Sequence, residues 1–115
     1  MPHAIFCSPQ VAGAGYTEQE LSRMKVEYKK SYHRYIHTAM GKAISDEVGF
    51  VKFMIDAKSN EILGCQILGT EASILIHEVI PIMRNGNDTI DKIVNSIHVH
   101  PALSEVIAKA AFELM

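Results

Sequence analysis

A hairpin pattern in the middle of the chain constrains the fold more than any other feature. The segments Phe50–Asp56 and Ile62–Gly69 are rich in β-branched and other apolar residues, and the polar segment Ala57–Glu61 separates them. Two such segments around a turn predict a pair of antiparallel strands. Gly64 in the second strand predicts a bulge or the close approach of another backbone. The fold must therefore contain an antiparallel sheet.

Two more strands are predicted on the N-terminal side of this hairpin. The segment from His3 to Gln10 begins as a short apolar strand and is stopped by Ser8-Pro9. Gly13 and Gly15 predict a turn after it. From Val26 to Tyr35 the residues alternate and include three tyrosines, which indicates a half-exposed strand in which the tyrosines pack on the sheet.

Helices are predicted first between these strands and then throughout the second half of the chain. Thr17 followed by Glu20 is a capping-box pattern, so a helix is expected from about Glu18 to Met24. The segment from Ala39 to Val48, before Gly49, predicts a weak helix or a loop.

In the second half, apolar residues recur at helical spacing from about Glu71 to Arg84, before Asn85-Gly86. Pro81 is expected to kink that helix or to weaken its last turn. A shorter amphipathic run follows Asp88, and a last helix is expected from about Ala102 to Leu114. Strands followed by helices predict an α+β domain with an antiparallel sheet covered by helices.

The bulk properties limit the possible functions. At 115 residues the chain forms one domain, residues 1–115. Its net charge of −2 provides no basic field for nucleic acid. No apolar run reaches the roughly 18 residues that span a membrane, and the N-terminus does not resemble a signal peptide, so a cytoplasmic location is expected. Cys7 and Cys65, in apolar surroundings without metal-type spacing, predict two buried, reduced thiols.

The most suggestive chemistry lies at His100, Pro101 and Glu105. Proline restricts the residue before it, so His100 is presented from a stiff turn. Glu105 lies about one helical turn further on and could hold the imidazole in one tautomer for acid–base work. Helix capping is the alternative: Pro101 suits a first helical turn, and Ser104 or Glu105 could satisfy free N–H groups there.

Other kinds of site have weaker support. His98 and His100 are two residues apart and are expected on similar sides, but no further ligands cluster with them, so we predict no metal site. Gly13-Ala14-Gly15 lacks the remaining features of a dinucleotide fingerprint. His77-Glu78 faces either a partner surface or solvent, and both interpretations remain open.

The chain resembles the C-terminal dimerisation domain of pyridine nucleotide–disulphide oxidoreductases, such as dihydrolipoamide dehydrogenase, glutathione reductase and mercuric reductase. The resemblance covers nearly the whole chain and is carried by four segments. They are the opening segment 2–18, the hairpin 49–69, the apolar helix 72–78 and the motif 98–105, which resembles the family's active-site signature.

This resemblance implies a shared active site. His100 would be the acid–base residue and Glu105 the carboxylate that orients it. His100 and Pro101 would approach a flavin bound by the other subunit of a homodimer. The chain itself would bind no cofactor, whereas the full-length parent would contain FAD and NAD(P) on domains that this chain lacks. The His-Pro bond of the motif is often cis in the family.

Three departures from the family pattern qualify the resemblance. Ala102 replaces the usual threonine after the proline, and Pro81 interrupts the interface helix. The chain also has no paired cysteines before Met115, and their absence favours a parent like dihydrolipoamide dehydrogenase. Met1 replaces mid-chain sequence of the family, so a gene fragment is expected. The alternative is a stand-alone, non-catalytic homodimeric scaffold or binding protein with the same fold.

Overall fold

The computed structural model describes residues 2–84 and 89–115. In these residues an antiparallel sheet of five strands has the order β1-β2-β5-β4-β3. The strands are β1 His3–Ile5, β2 Val11–Gly15, β3 Tyr28–Arg34, β4 Phe50–Asp56 and β5 Ile62–Leu68. The helices are α1 Glu18–Arg23, α2 Ala39–Ala43, α3 Ala72–Leu75, α4 Ile80–Arg84, α5 Asp91–Val94 and α6 Glu105–Phe112, and 3₁₀ turns span Tyr35–His37 and Ile76–Glu78.

The predicted hairpin is confirmed as strands β4 and β5. Their register shifts between Met54 and Ile55, which pair with Gly64 and Ile62, so the strand opposite carries one extra residue. A Cβ atom at Gly64 would lie 2.0 Å from the carbonyl oxygen of Tyr16. Gly64 therefore marks both a bulge and a close backbone approach, as the sequence predicts.

The predicted turn at Gly13 and Gly15 is wrong, because both glycines lie in strand β2 between β1 and β5. Ala12 and Ala14 point into the core, where they are 0% and 3% exposed. Pairing with two neighbouring strands overrides the weak strand preference of a Gly/Ala sequence. The first strand also ends at Ile5 rather than continuing to Gln10, and the connection to β2 contains the cis Ser8–Pro9 bond.

The predicted continuous helix from Glu71 to Arg84 is also wrong, since α3, a 3₁₀ turn and α4 divide it. Pro81 is the second residue of α4. Its missing N–H costs little in a first turn, so Pro81 begins a separate helix there instead of kinking a long one. The predicted helix end at Asn85-Gly86 and the start after Asp88 lie outside the described residues.

The remaining helices agree more closely with the predictions made from the sequence. The capping box of α1 is confirmed: Thr17 Oγ1 accepts a hydrogen bond from the Glu20 N–H at 3.2 Å, and the Thr17 N–H donates to Glu20 Oε1 at 3.2 Å. The weak helix before Gly49 is α2, and the last helix is shorter than expected, Glu105–Phe112.

The core lies between one face of the sheet and the C-terminal helices. Apolar residues of the three inner strands β2, β4 and β5 and of α3, α5 and α6 form one buried cluster. Its largest members include Tyr35, Phe53, Ile67, Ile93 and Ile107, all 0% exposed. This arrangement confirms the α+β class and the helix-covered antiparallel sheet. Within the ranges 2–84 and 89–115, no helix has the length and apolar character needed to cross a membrane.

The two cysteines have different environments, and neither forms a disulphide. Cys65 is buried as predicted, and burial raises the pKa of its thiol. The prediction for Cys7 is wrong: its side chain is exposed beyond the end of β1, and its Sγ lies 3.0 Å from the Pro9 carbonyl oxygen.

Candidate functional site

The residues that carry the candidate chemistry lie in the connection between α5 and α6. On one side, Ile93 of α5 is fully buried, and on the other, Val106 and Ile107 of α6 are fully buried. The connection between them is irregular, and its His100–Pro101 peptide bond is cis. Two helices fixed in the core therefore hold the ends of a short exposed turn.

His100 and Glu105 form the pair that the sequence predicts. His100 Nδ1 lies 2.8 Å from Glu105 Oε1. Because an ionised carboxylate only accepts hydrogen bonds, Nδ1–H is the donor, and Nε2 is left as the nitrogen that an incoming group can reach. The imidazole is 70% exposed, whereas the carboxylate is 19% exposed. A shielded carboxylate thus holds an accessible imidazole.

Glu105 also accepts a hydrogen bond from the backbone. The same side chain therefore orients His100 and caps the start of the helix. Its Oε1 accepts a hydrogen bond from the Ala102 N–H at 3.2 Å, while Ser104 makes no side-chain cap. Partial burial acts to raise the pKa of Glu105, but the hydrogen bonds from His100 and Ala102 outweigh it and lower that pKa below its ordinary value. The carboxylate therefore remains charged beside the ring.

A second histidine–glutamate pair lies beside the first. His98 Nε2 is 2.9 Å from Glu78 Oε2, and the two side chains are 11% and 30% exposed. His98 thus faces inward while His100 faces outward, so the expectation that they share a side is wrong. The chain bends at His100, directly before Pro101, which ends the extended alternation.

Sequence reasoning missed this second pair. Glu78 does not lie on a fully solvated face, because it is half-buried against His98, whereas His77 is exposed. That this segment faces a partner surface stays a prediction. The two partners are 20 residues apart, and no local pattern connects them. The usable signal was a carboxylate inside an otherwise apolar segment.

The described residues contain no cluster of three or more His, Cys, Asp or Glu side chains that could hold a metal ion. A third pair, His33 Nδ1 and Glu113 Oε1 at 2.6 Å, joins β3 to the end of α6. Three of the six histidines, His33, His98 and His100, thus each contact a single carboxylate.

The surface around His100 is apolar and projects outward. Ile97 and Val99 are 100% and 73% exposed, and Pro101 is exposed as well. A cofactor site has to enclose most of its ligand. Because His100 and Pro101 project from the surface, they do not form a whole cofactor site by themselves.

The model of a known protein family matches almost the whole chain. The family model described as "Pyridine nucleotide-disulphide oxidoreductase, dimerisation domain" matches residues 1–111. The chain belongs to this family. The resemblance noted from the hairpin, the apolar helix and the His-Pro motif is therefore confirmed.

Among relatives, dihydrolipoyl dehydrogenase from Corynebacterium glutamicum is 37% identical over 113 residues, covering 96% of this chain and 24% of that protein. Dihydrolipoyl dehydrogenase from Mycoplasma pneumoniae is 42% identical over 118 residues, covering 97% of this chain and 25% of that protein. This dimerisation domain thus spans about a quarter of the length of the curated relatives it matches.

The same fold occurs in solved structures. LpdA from Mycobacterium tuberculosis superimposes with a TM-score of 0.93 at 23% identity, over 100% of this chain and 25% of that one. The HOCl-induced flavoprotein disulfide reductase RclA from Escherichia coli superimposes with a TM-score of 0.92 at 20% identity, over 100% of this chain and 26% of that one. At these identities the likeness establishes the fold.

Proposed function

We propose that this dimerisation domain acts within an FAD-dependent pyridine nucleotide–disulphide oxidoreductase most like dihydrolipoyl dehydrogenase. In a homodimer of that enzyme, His100 and Glu105 supply the acid–base pair of the partner subunit's thiol–disulphide site. The observation that carries the proposal is the 2.8 Å contact between Glu105 and an imidazole that is 70% exposed. An oriented ring with one reachable nitrogen suits proton transfer to or from a group held elsewhere.

The chemistry at His100 Nε2 follows from the needs of thiol–disulphide exchange. Thiolate, and not thiol, is the nucleophile, so a substrate thiol must lose its proton before it reacts. Nε2 accepts that proton, and Glu105 stabilises the resulting imidazolium. The thiolate then attacks one sulphur of a disulphide in the partner's site, forming a mixed disulphide and releasing the other sulphur as thiolate. In the reverse direction Nε2 returns the proton.

The apolar surface beside His100 supports a partner subunit. Ile97 and Val99 are exposed on both sides of His98. Exposed apolar residues grouped around a reactive side chain are typical of an interface that excludes water. His100 and Pro101 would form one wall of the partner's flavin site. The chemistry that FAD would supply there is electron transfer between the dithiol and NAD(P).

A chimaeric enzyme tests this function directly. The matched quarter of the Corynebacterium glutamicum dihydrolipoyl dehydrogenase is replaced by this chain, and turnover of dihydrolipoamide is measured with flavin content and dimer mass. His100→Gln should lower kcat by about 10²–10⁴-fold, the usual contribution of a general acid–base residue. Flavin absorbance and dimer mass should not change.

His37→Gln is the matched control, because His37 is an exposed histidine at the end of the 3₁₀ turn Tyr35–His37, outside the His100 turn and the apolar helix, and should tolerate the change. Near-normal turnover of the His100→Gln chimaera would remove His100 from the mechanism. A chimaera that forms dimers, carries FAD and shows no turnover with His100 intact would favour the non-catalytic scaffold instead.

A further inference from the structure

We propose that His98 and Glu78 form a positioning pair that fixes His100 in place, a role that rests on the proposed function. Neither side chain would contact substrate. Their hydrogen bond would instead hold the connection between α5 and α6 in the conformation that presents the imidazole.

Glu78 provides a firm attachment point for this bond. It ends the 3₁₀ turn Ile76–Glu78, and its neighbours Ile76 and Val79 are 2% and 0% exposed. The carboxylate oxygen Oε2 accepts the hydrogen bond from His98 Nε2 at 2.9 Å. A segment packed on both sides into the core moves little, so whatever Glu78 holds is held against the body of the domain.

His98 is the one inward-facing side chain among residues 95–101 of the connection. Residues 95–97 and 99–101 are exposed, whereas the His98 side chain is 11% exposed. Ser96 Oγ donates to the Lys92 carbonyl at 2.6 Å, and His100 contacts Glu105 at 2.8 Å. Between these two contacts, the bond to Glu78 is the side-chain hydrogen bond that ties the chain to the body of the domain. Loops with so few buried contacts open easily. The pair therefore supplies the missing central attachment.

The position of His98 in the chain makes it effective for His100. Only Val99 lies between them, so fixing the His98 backbone limits how far the His100 backbone can shift. Glu105 orients the His100 ring from the other side through the 2.8 Å contact. A misplacement of about 1 Å in a catalytic group can lower a rate by about 10²-fold. One carboxylate thus holds the ring, and the other holds the chain that carries it.

The third histidine–glutamate pair provides a matched comparison. His33 and Glu113 are bonded at 2.6 Å with side-chain exposures of 15% and 41%, close to those of His98 and Glu78. They join β3 to the end of α6 and not to the connection 95–101. Breaking this pair removes the same kind of bond without freeing the connection.

The experiment combines kinetics of the chimaeric enzyme with NMR of the 115-residue chain. His98→Leu removes the donor, while His98→Gln keeps an N–H donor close to the position of Nε2, and Glu113→Leu is the control. The heteronuclear NOE of residues 96–101 measures the order of the connection, and kcat, KM and flavin content measure catalysis. For His98→Leu we expect lower NOE values in the connection only. We also expect kcat to fall by about 10–100-fold with flavin content unchanged.

His98→Gln should recover most of both properties, and Glu113→Leu should change neither. Unchanged NOE values in His98→Leu would overturn the inference, as would an equal loss of kcat in Glu113→Leu. The proposed function fails separately: a His100→Gln chimaera with normal turnover refutes it. If His100→Gln is inactive while His98→Leu is fully active, only the positioning role is refuted.

Discussion

In two regions of this domain a carboxylate bridges a turn, but only one of the two regions leaves a reactive side chain exposed to solvent. In the Tyr35 junction, formed by Tyr35, Asp46, Gly49, Gly69 and Thr70, the polar groups bind one another. In the His100 turn, residues 95–105, a carboxylate holds an imidazole that is 70% exposed. The first region joins strand ends, and the second presents a reactive group.

Asp46 uses both of its oxygens within the protein. Oδ1 accepts a hydrogen bond from the Gly49 N–H at 2.8 Å, and Oδ2 accepts from the N–H and hydroxyl of Thr70 at 2.9 and 2.8 Å. The Tyr35 hydroxyl donates to the Thr70 carbonyl at 2.9 Å. No acceptor of Asp46 is left for an outside group, so the junction contributes stability rather than chemistry.

The difference indicates that stability and chemistry lie at separate places in the chain. Changes in the Tyr35 junction should alter the free energy of unfolding, whereas changes in the His100 turn should alter catalysis and leave the fold nearly intact. Three substitutions test this separation, from the largest expected change in stability to the smallest.

Gly69→Ala should have the largest effect. Gly69 has φ +139°, and a Cβ atom there would lie 2.9 Å from Gly49 Cα and 2.9 Å from the Tyr35 ring. The strained backbone and the overpacking together should lower the free energy of unfolding by about 2–5 kcal/mol in urea titrations. Gly13→Ala is the control, since its Cβ would meet the movable end of the His3 side chain. If the two substitutions lower the free energy of unfolding equally, the Tyr35 junction does not contribute more stability than strand β2.

Asp46→Asn should have the next largest effect, with a defined pH dependence. Partial burial acts to raise the pKa of Asp46, but hydrogen bonds from Thr70, Gly49 and Val48 outweigh it and lower that pKa below its ordinary value of 3.8. The charged form therefore stabilises the folded state, fully above the ordinary pKa and less as pH falls through the lowered one. At pH 7 the variant should lose about 1–3 kcal/mol.

The difference in free energy of unfolding between wild type and Asp46→Asn should become smaller in urea titrations carried out below about pH 4. Asp56→Asn is the control, because Asp56 also accepts backbone hydrogen bonds, from Lys58 and Ser59, but at an exposed hairpin turn. Its effect should be smaller. If the difference in free energy of unfolding stays constant down to pH 2, the charge of the Asp46 carboxylate does not stabilise the fold.

Local patterns predicted much of both the fold and the site. The β4–β5 hairpin, the capping box at Thr17 and the pairing of His100 with Glu105 depend on residues at most about 20 positions apart, and each was found. Strand β2 was missed because its Gly/Ala sequence becomes a strand only through pairing with its neighbours.

Long-range polar contacts were beyond the reach of these patterns. The Asp46–Thr70 and His98–Glu78 contacts are made after the sheet and helices have brought distant segments together, and each joins residues that are 20 or more positions apart. A polar side chain in such a place leaves no periodic signal of its own. Only the packed structure shows which partner it has.

Glu105→Gln should have the smallest effect on stability and still a clear effect on catalysis. Glutamine keeps an oxygen that can accept from the Ala102 N–H, so the start of α6 should lose only about 0.5–1 kcal/mol. It cannot provide a charge to stabilise the imidazolium of His100, so kcat of the chimaera should fall by about tenfold or more. Glu105→Ala removes the acceptor as well and should lose both stability and turnover. If Glu105→Gln destabilises the domain as much as Asp46→Asn while turnover is unaffected, Glu105 is a helix cap, and the contrast between the two regions disappears.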